Sequence, residues 1–377
     1  MRITLLSCVT LAAVLAPSGP AAADDLPPLS VYGQARLDFL IDDSRMQDVQ
    51  QPLWVTSEPE GPSETDGEFS MHPRLSQLGL NLDEWRFDGG LKGAGKLEVD
   101  FRGGTGSAPM LGLRHAYFTL TAGHLFEMLA GQTWDLISPL YPTVNADTMM
   151  WNAGNTGDRR PQLRMTVTPT QRDRVAWAIA MTGAVDGQDL DGDGRLDGVA
   201  SAVPMVQLLY EHRFRQRRRD PIRIGVWGHV GAEALGDGTQ LASYSVGGHL
   251  FWPLARRVTL LGEAFWGQNL SDIRGGVGQG VNPVTGKEIH SRGGWLELVV
   301  MPAKSVMLAT GATADVPYVE DLSPGDRDKN LTFYLSERFR PHRAFELGVE
   351  YIRWFTGYHE APDGAANRFD LHLTMFF

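Results

Sequence analysis

Cysteine is almost absent from this sequence of 377 residues, and the one that exists, Cys8, lies near its beginning. The surrounding segment has the layout of an export signal. Arg2 precedes an apolar run over 5–15, and three alanines at 21–23 offer a cleavage site. We therefore expect residues 1–23 to be a cleaved signal peptide. The exported chain, 24–377, would contain no cysteine, which excludes a disulfide framework.

Long apolar runs are missing too. Beyond residue 23, Val175–Met181 is typical of the longest, whereas a membrane-spanning helix needs about 20 apolar residues. Membrane helices are thereby excluded. The mean hydropathy of −0.20 would suit a soluble protein, but it also suits a transmembrane barrel in which every second residue faces water.

Positive charge is scarcer than negative charge, with 34 Lys and Arg against 45 Asp and Glu. A net charge of −11 makes the chain a poor nucleic-acid binder. Dinucleotide fingerprints, phosphate loops, zinc spacings and a GxSxG elbow are also absent, and histidines such as His115 and His249 have no nucleophile motif beside them. We expect no enzyme, no catalytic residues and no required cofactor.

What the sequence does contain is alternation with a period of two. In the final stretch, Asn367–Phe377, one face is apolar (Phe369, Leu371, Leu373, Met375, Phe377) and the other is mostly polar. In 91–102 the second face carries Lys92, Lys96, Glu98, Asp100 and Arg102. A wide aqueous lumen tolerates so many charges, but a packed barrel interior does not.

The same pattern predicts sixteen strands, with eight longer loops on one side and seven shorter turns on the other. They lie near 31–41, 74–82, 91–102, 111–121, 124–134, 162–168, 175–182, 199–212, 221–231, 241–252, 258–269, 293–302, 306–317, 330–339, 344–358 and 367–377. An even number of strands with this asymmetry indicates an all-β, antiparallel, transmembrane β-barrel as one domain over 24–377. A soluble, secreted all-β protein is the structural alternative.

Seven phrases spread along the chain resemble the trimeric outer-membrane porins, and most of all the DcaP-like porins. They are EVDF (98–101), LRHAYFTL (113–120), AGQTWD (130–135), RRPQLRMT (159–166), GEAFWGQNL (262–270), GVEYIRWFTGY (348–358) and NRFDLHLTMFF (367–377). The chain departs from that family by lacking an N-terminal coiled-coil extension and by matching the usual motif only partly around 71–77.

The resemblance implies a homotrimer in the bacterial outer membrane, in contact with lipid and lipopolysaccharide, whose final Phe belongs to the assembly signal. It implies a passive diffusion channel for small hydrophilic solutes, with anions such as carboxylates favoured. The functional alternative is an outer-membrane barrel whose acidic loops, 42–72 and 183–198, bind a surface partner or carry a hydrolase activity.

In related porins the third outer loop folds into the lumen and helps to form the constriction, where charge and diameter select solutes. Here that loop is 135–160. The residues predicted at the constriction are Arg36, Lys92, Lys96, Glu98, Asp100, Arg102, Asp135, Asp158, Arg159 and Arg164, with Asp147 and Arg160 also in the loop. The alternative for each is a charge paired across neighbouring strands, without effect on selectivity.

Two further charged motifs are candidate ion-binding segments. Asp189, Asp191, Asp193 and Asp197, with Gly194 between them, have the spacing of a calcium-binding loop, although position 12 is Ala200 instead of Glu. A weak Ca²⁺ site and a merely acidic loop are both open. Five arginines at 213, 215, 217, 218 and 219 would bind lipopolysaccharide phosphates on an outer loop, but the strand order predicts a solvated periplasmic turn.

Overall fold

The computed structural model describes residues 28–58, 66–105, 108–217 and 219–377, so the expected signal peptide, 1–23, lies outside the described residues. Strands dominate the fold. They are β1 (Leu29–Asp42), β2 (Glu68–His72), β3 (Gln77–Arg86), β4 (Leu91–Thr105), β5 (Ala108–Ala122), β6 (Phe126–Trp134), β7 (Arg159–Val167), β8 (Asp173–Ala180), β9 (Met205–Phe214), β10 (Ile222–Ala234), β11 (Gln240–Ala255), β12 (Val258–Gln268), β13 (His290–Ala303), β14 (Val306–Pro317), β15 (Arg327–His342), β16 (Phe345–Tyr358) and β17 (Ala361–Phe376). Within the described ranges, helical structure is limited to α1 (Asp197–Ala200) and single 3-10 turns at Asp88–Gly90, Ser271–Ile273, Gly276–Gly278 and Val319–Asp321. Among the described residues, no helix is both long enough and apolar enough to cross a membrane.

Apart from β2 and β3, which do not pair with each other, consecutive strands pair antiparallel, and β1 pairs with β17 to close the sheet. β2 and β3 both pair with β1 and together occupy one position in the wall, so the seventeen strands form a closed barrel of sixteen positions. Closure satisfies the backbone groups of the first and last strands, which an open edge in lipid could not do. The predicted fold class is confirmed.

Three predicted strands need correction. The second was expected near 74–82, but β3 begins only at Gln77, and a separate short strand, β2, lies in the predicted loop 42–72, before Pro73, which has no N–H to donate to the ladder. The eighth was expected from residue 199, yet 197–200 form α1 and β9 begins only at Met205, directly after Pro204. The last strand was expected from 367 but begins six residues earlier, at Ala361, and the other strands start and end within a few residues of their predicted bounds.

The alternation predicted for the strands is visible in their exposure. On β17, Phe369 is 52% and Met375 is 61% exposed on the outer face, whereas Asp370 and His372 between them are buried inside. The same holds for β1, where Ile41 lies outside and Asp38 inside. The barrel therefore has an apolar outer surface and a polar inner wall, as a lipid-embedded channel requires.

The connections divide between two rims. The turn rim has short connections such as 123–125, 256–257 and 343–344. The opposite rim, here the loop rim, carries the long ones. They include L1 (43–67), L3 (135–158), L4 (181–204) and L6 (269–289).

Several long loops fold inward and form their own apolar cores at the loop rim. Met46 and Val55 of L1 pack with Val144 and Met150 of L3 against Trp354 of β16. Leu136 and Ile137 of L3 pack with Leu270 and Ile273 of L6 in a second cluster. The loops thus narrow the barrel.

Candidate pore constriction

L3 starts and ends at a buried clamp. Asp135 N–H donates to the Asp158 carbonyl (2.8 Å) and Asp158 N–H donates to the Asp135 carboxylate (3.0 Å), which joins the two ends of the loop. Arg160 of β7 donates from Nε to Asp135 (2.8 Å) and from Nη1 to Asp272 of L6 (2.6 Å), with none of its surface exposed. The clamp fixes the direction in which L3 leaves the wall.

From the clamp, L3 crosses the inside of the barrel along a row of buried glutamates. Its backbone N–H groups donate to the wall at three steps: Leu140 to Glu263 of β12 (2.7 Å), Thr143 to Glu297 of β13 (2.8 Å) and Asn145 to Glu350 of β16 (2.7 Å). We call these three residues, Glu263, Glu297 and Glu350, the carboxylate arc.

The tip of L3 reaches the first strands. Thr148 Oγ1 donates to the Pro52 carbonyl of L1 (2.9 Å), and Asp147 lies 3.8 Å from His72 of β2. On the return path Gly154 has φ +114°, and an added Cβ would meet the Gly294 carbonyl oxygen at 2.4 Å. Only glycine allows this approach, so the sequence is adapted to an L3 pressed against β13 and β14.

The side of the lumen that L3 leaves open is lined by arginines on β4, β5, β7 and β8. We call this set the arginine arc. It consists of Arg102, Arg114, Arg159, Arg164 and Arg174. Tyr141, 44% exposed, is the most exposed side chain of L3, and its ring lies 5.4 Å from that of Trp134 at the end of β6. The exposed part of L3 near the arc is therefore uncharged.

A β-bulge places Arg114 in the arc. Glu98 of β4 pairs with His115, but the next residue, Val99, pairs with Leu113, so Arg114 is the extra residue on β5. A bulge shifts the alternation by one position, and both Arg114 and His115 contact inward-facing groups of β4. This explains why the sequence pattern of this strand does not assign its faces, and why the sequence analysis missed Arg114.

Glu98 and Asp100 hold Arg114 in place. Glu98 accepts from Arg114 Nε (2.7 Å) and Tyr32 Oη (2.6 Å), and it pairs with Lys96 at 3.1 Å. Asp100 accepts from Arg114 Nη1 (2.8 Å). This part of the arc is a paired network whose positive charge is largely balanced.

At the end of L3, Asp158 lies between two arginines, at 2.9 Å from Arg274 Nη2 of L6 and 3.5 Å from Arg159 Nε. Burial acts in the opposite direction, but these two cations hold the pKa of Asp158 below its usual range. The guanidinium of Arg159 also lies 4.7 Å from the centre of the Trp134 ring.

Two water-accessible cavities lie along the arc. One, of about 230 Å³, is lined by Arg102, Arg114, Arg159 and Arg274 and by only two carboxylates, Asp100 and Asp158. The other, of about 160 Å³, is lined by Arg164, Arg174 and Tyr141, while its one carboxylate, Asp135, is occupied by Arg160. Among the described residues, Arg102, Arg164 and Arg174 have no carboxylate oxygen within the 4.0 Å limit of an ion pair. These arginines are cationic and have no direct ion pair, while carboxylates such as Asp158 near Arg102 and Glu211 near Arg174 act from a longer distance.

The structure brings most of the predicted constriction residues to this region, but not all. Arg102, Asp158, Arg159 and Arg164 line the two cavities with Asp100 and Asp135. Lys92 lies near the turn rim and pairs with Glu84 (2.9 Å). Arg36 is buried in an ion pair with Asp38 (2.5 Å), beside the tip of L3. Whether any of them limits the pore stays a prediction.

Three cavity arginines were missed in the sequence. Arg174 stands on the inward face of β8, and an earlier start of that strand would have revealed it. Arg274 belongs to L6 and follows no strand pattern, so no sequence signal marks it. Arg114 was hidden by the bulge.

The predicted calcium loop lies within L4, at the loop rim. One oxygen each from Asp189, Asp191 and Asp197 lies within 4.8 Å of the other two. Asp193 instead accepts the Arg195 N–H (2.7 Å). The Gly236 N–H lowers the pKa of Asp191, whereas burial raises that of Asp197. Calcium binding stays a prediction.

The arginine-rich segment connects β9 and β10 at the turn rim, as the predicted strand order requires. Arg215, Arg217 and Arg219 are exposed, and Arg219 Nη1 donates to the Leu254 carbonyl (2.5 Å). Arg218 lies outside the described residues.

No protein-family model matches the chain, and no curated protein sequence matches it. Solved structures do. The outer membrane channel DcaP of Acinetobacter baumannii superposes with a TM-score of 0.77 at 16% identity, covering 96% of this chain and 100% of that one. This chain has the porin fold. The anion-selective porin of Comamonas acidovorans (TM-score 0.61, 12% identity, 93% and 99% covered) and Salmonella typhi OmpF in complex with daunomycin (0.59, 11%, 94% and 99%) share it.

Proposed function

We propose that this protein is an outer-membrane porin, a passive water-filled channel through which small hydrophilic solutes diffuse, with a preference for anions such as carboxylates. The observation that carries the preference is a set of three arginines, Arg102, Arg164 and Arg174, which line the two cavities and have no direct ion pair among the described residues. A cationic wall raises the local concentration of anions, most strongly where the channel is narrow.

The anion preference also requires that the many acidic residues do not face the water in the channel. The carboxylate arc is buried under L3, with Glu263, Glu297 and Glu350 each at most 6% exposed. Their oxygens accept hydrogen bonds from L3, so they face the loop instead of the water in the channel. The negative net charge of the chain is consequently a poor guide to the charge at the constriction.

Two comparisons support the proposal. One similar structure is described as an anion-selective porin, and another, OmpT of Vibrio cholerae, has been solved in a trimer form. We infer a homotrimer of this chain in the outer membrane, with its apolar outer face in contact with lipid and lipopolysaccharide.

Solute flux into liposomes tests the function. Liposomes containing the purified protein should admit succinate faster than erythritol, an uncharged solute with the same number of carbon atoms. Planar bilayers should show stepwise openings. Equal fluxes would contradict the anion preference, and the absence of both flux and openings from folded protein would contradict the channel.

In the alternative, a barrel that acts through its acidic loops, conduction is incidental to the function. Deleting part of 183–198 would abolish its function and leave the flux unchanged. For the channel, the same deletion should leave the preference for succinate intact, because the arginine arc lies on other elements.

A further inference from the structure

A buried polar cluster lies where the first strand meets the last. Asp38 of β1 stands directly opposite His372 of β17, and Asp370 lies two residues earlier on the same inward face. Their exposures are 0%, 0% and 4%. One ligand atom from each lies within 4.8 Å of the other two.

The carboxylates around this cluster outnumber the cations that pair with them. Asp38 pairs with Arg36 (2.5 Å) and Asp42 pairs with Arg368 (3.0 Å). Asp370 has no Lys or Arg nitrogen within 4.0 Å among the described residues. A buried carboxylate without a counter-charge is strongly unfavourable, so this position calls for a bound cation or a proton.

His372 points to a cation. Its ring is fully buried, and in the part of the chain that the structure describes neither Nδ1 nor Nε2 has a hydrogen-bond partner; Asp370 Oδ1 also lacks one there. The nearest ion-pair contact of the ring is to Glu346 at 3.6 Å, and that carboxylate pairs with Arg340 (2.6 Å). Buried polar atoms are nearly always satisfied, so an imidazole without a partner beside two carboxylates is typical of a metal ligand.

The wall is shaped to hold this ring. Gly348 of β16 stands opposite His372, and an added Cβ there would lie 2.0 Å from the Cε1 atom of the ring. Any other residue at 348 would push the imidazole out of its place. The glycine therefore allows the ring to lie against the sheet, within reach of Asp38 and Asp370.

We propose that Asp38, Asp370 and His372 bind one divalent transition-metal cation, for which Zn²⁺ is the best probe. One imidazole and two carboxylates are a common donor set for such ions, and water would complete the coordination. Bonds of about 2.1 Å would separate the donors by about 3.4 Å, so donors that lie within 4.8 Å of one another need to close by at most about 1.4 Å. The ion would link β1 to β17 and so reinforce the closure of the barrel.

The test uses untagged protein refolded with one equivalent of Zn²⁺ and then freed of unbound metal. Asp189→Asn and Asp191→Asn are present throughout, so that the L4 loop cannot contribute. Metal content and the thermal midpoint, with and without EDTA, are measured for this background and for the background with Asp370→Asn or His372→Gln. His249→Gln is the matched control, because His249 is another buried wall histidine beside a glycine, Gly225.

We expect about one Zn²⁺ per chain in the background protein and in His249→Gln, with a midpoint that EDTA lowers. We expect little metal and no EDTA effect in Asp370→Asn and His372→Gln. Asp370→Asn distinguishes a bound metal ion from a bound proton. A neutral amide can replace a protonated carboxyl without loss of stability, but it cannot replace a carboxylate that binds a metal ion. The proposal is overturned if the background protein retains no metal, or if both ligand variants retain it. Neither result depends on conduction.

Discussion

The two sides of the lumen differ in what covers their charges. The arginine arc and the carboxylate arc both project from the inner face of the sheet, but L3 lies over the carboxylates, whereas the arginines line two water-accessible cavities. Glu297 is fully buried and accepts an N–H from Thr143 (2.8 Å), whereas Arg164 lines a water-accessible cavity. The charge that a solute meets is thus decided by loop placement, not by the count of charges in the wall.

The arrangement also has an energetic reason. A loop that crosses a barrel loses water from its backbone N–H groups and needs acceptors. Buried glutamates supply them, and the hydrogen bonds in turn stabilise the glutamates. Arginines could not serve in this way because a guanidinium only donates.

The largest effect on stability and on the position of L3 should follow from removing one glutamate of the carboxylate arc. Glu263→Ala leaves the Leu140 N–H without its acceptor and removes one of the two acceptors of the Ser138 hydroxyl, the other being Asn155 Oδ1. We expect the free energy of unfolding to fall by about 2–5 kcal/mol, because the unsatisfied buried donor costs about 1–3 kcal/mol and the truncated side chain leaves a cavity. L3 should detach from β12, visible as faster proteolysis within 135–158 and as larger, noisier single-channel currents.

Glu263→Gln is the matched control, since its amide oxygen still accepts from Leu140. It should keep L3 in place and the currents quiet. If Glu263→Ala leaves proteolysis and conductance unchanged, the glutamates do not hold the loop.

A smaller effect is expected at the loop rim, where Asp186 of L4 lies near Asp272 of L6. Burial, reinforced by the neighbouring Asp272, raises the pKa of Asp186 to about 6 from 3.8. Protonation therefore stabilises the contact fully below about pH 4, and this stabilisation is lost as the pH rises through about 6. The shift corresponds to about 2–3 kcal/mol at most.

Hydrogen exchange in 183–188 should accordingly be faster at pH 8 than at pH 5, after correction for the intrinsic rate. Asp186→Asn should remove this difference, because the amide stays neutral at both values. Asp237→Asn, at an exposed acid of the same rim, should not. A pH dependence that persists in Asp186→Asn would contradict the assignment.

The smallest effect is expected at the predicted calcium loop. Millimolar Ca²⁺ should protect L4 from proteolysis, and Asp191→Asn should abolish the protection, because extracellular sites of this kind bind with dissociation constants of about 10⁻⁴–10⁻³ M. Mg²⁺ is the control ion. Equal cleavage with and without Ca²⁺ would leave the loop as an acidic surface loop.

The fold could be predicted from the sequence because alternation is a local signal. The strands at 91–105 and 361–376 carry their faces in every second residue, and lipid on one side with water on the other makes the contrast strong. The failures have local causes as well. Pro73 separates β2 from β3, and the bulge at Arg114 shifts the alternation by one.

The position of L3 over the carboxylate arc could not be predicted in this way. The bond from Leu140 to Glu263 joins residues 123 positions apart, and no periodicity reports such a contact. The resemblance to porins predicted which loop enters the lumen. Only the structure shows which wall residues that loop contacts. Counting charged residues on inward positions therefore identified candidates such as Arg164 but also Lys92, which lies near the turn rim.

The most direct test is the zero-current potential across a tenfold KCl gradient in planar bilayers, for the wild type and for Arg164→Gln with Arg174→Gln. Among the described residues, neither substitution leaves a carboxylate without its ion-pair partner, but Arg164→Gln also removes the donor to the Trp134 carbonyl. Lys92→Gln is the control near the turn rim. We predict an anion-selective wild type, a clear shift towards cations in the double variant, and little change in the control. A cation-selective wild type, or a double variant with unchanged potential, would contradict the account.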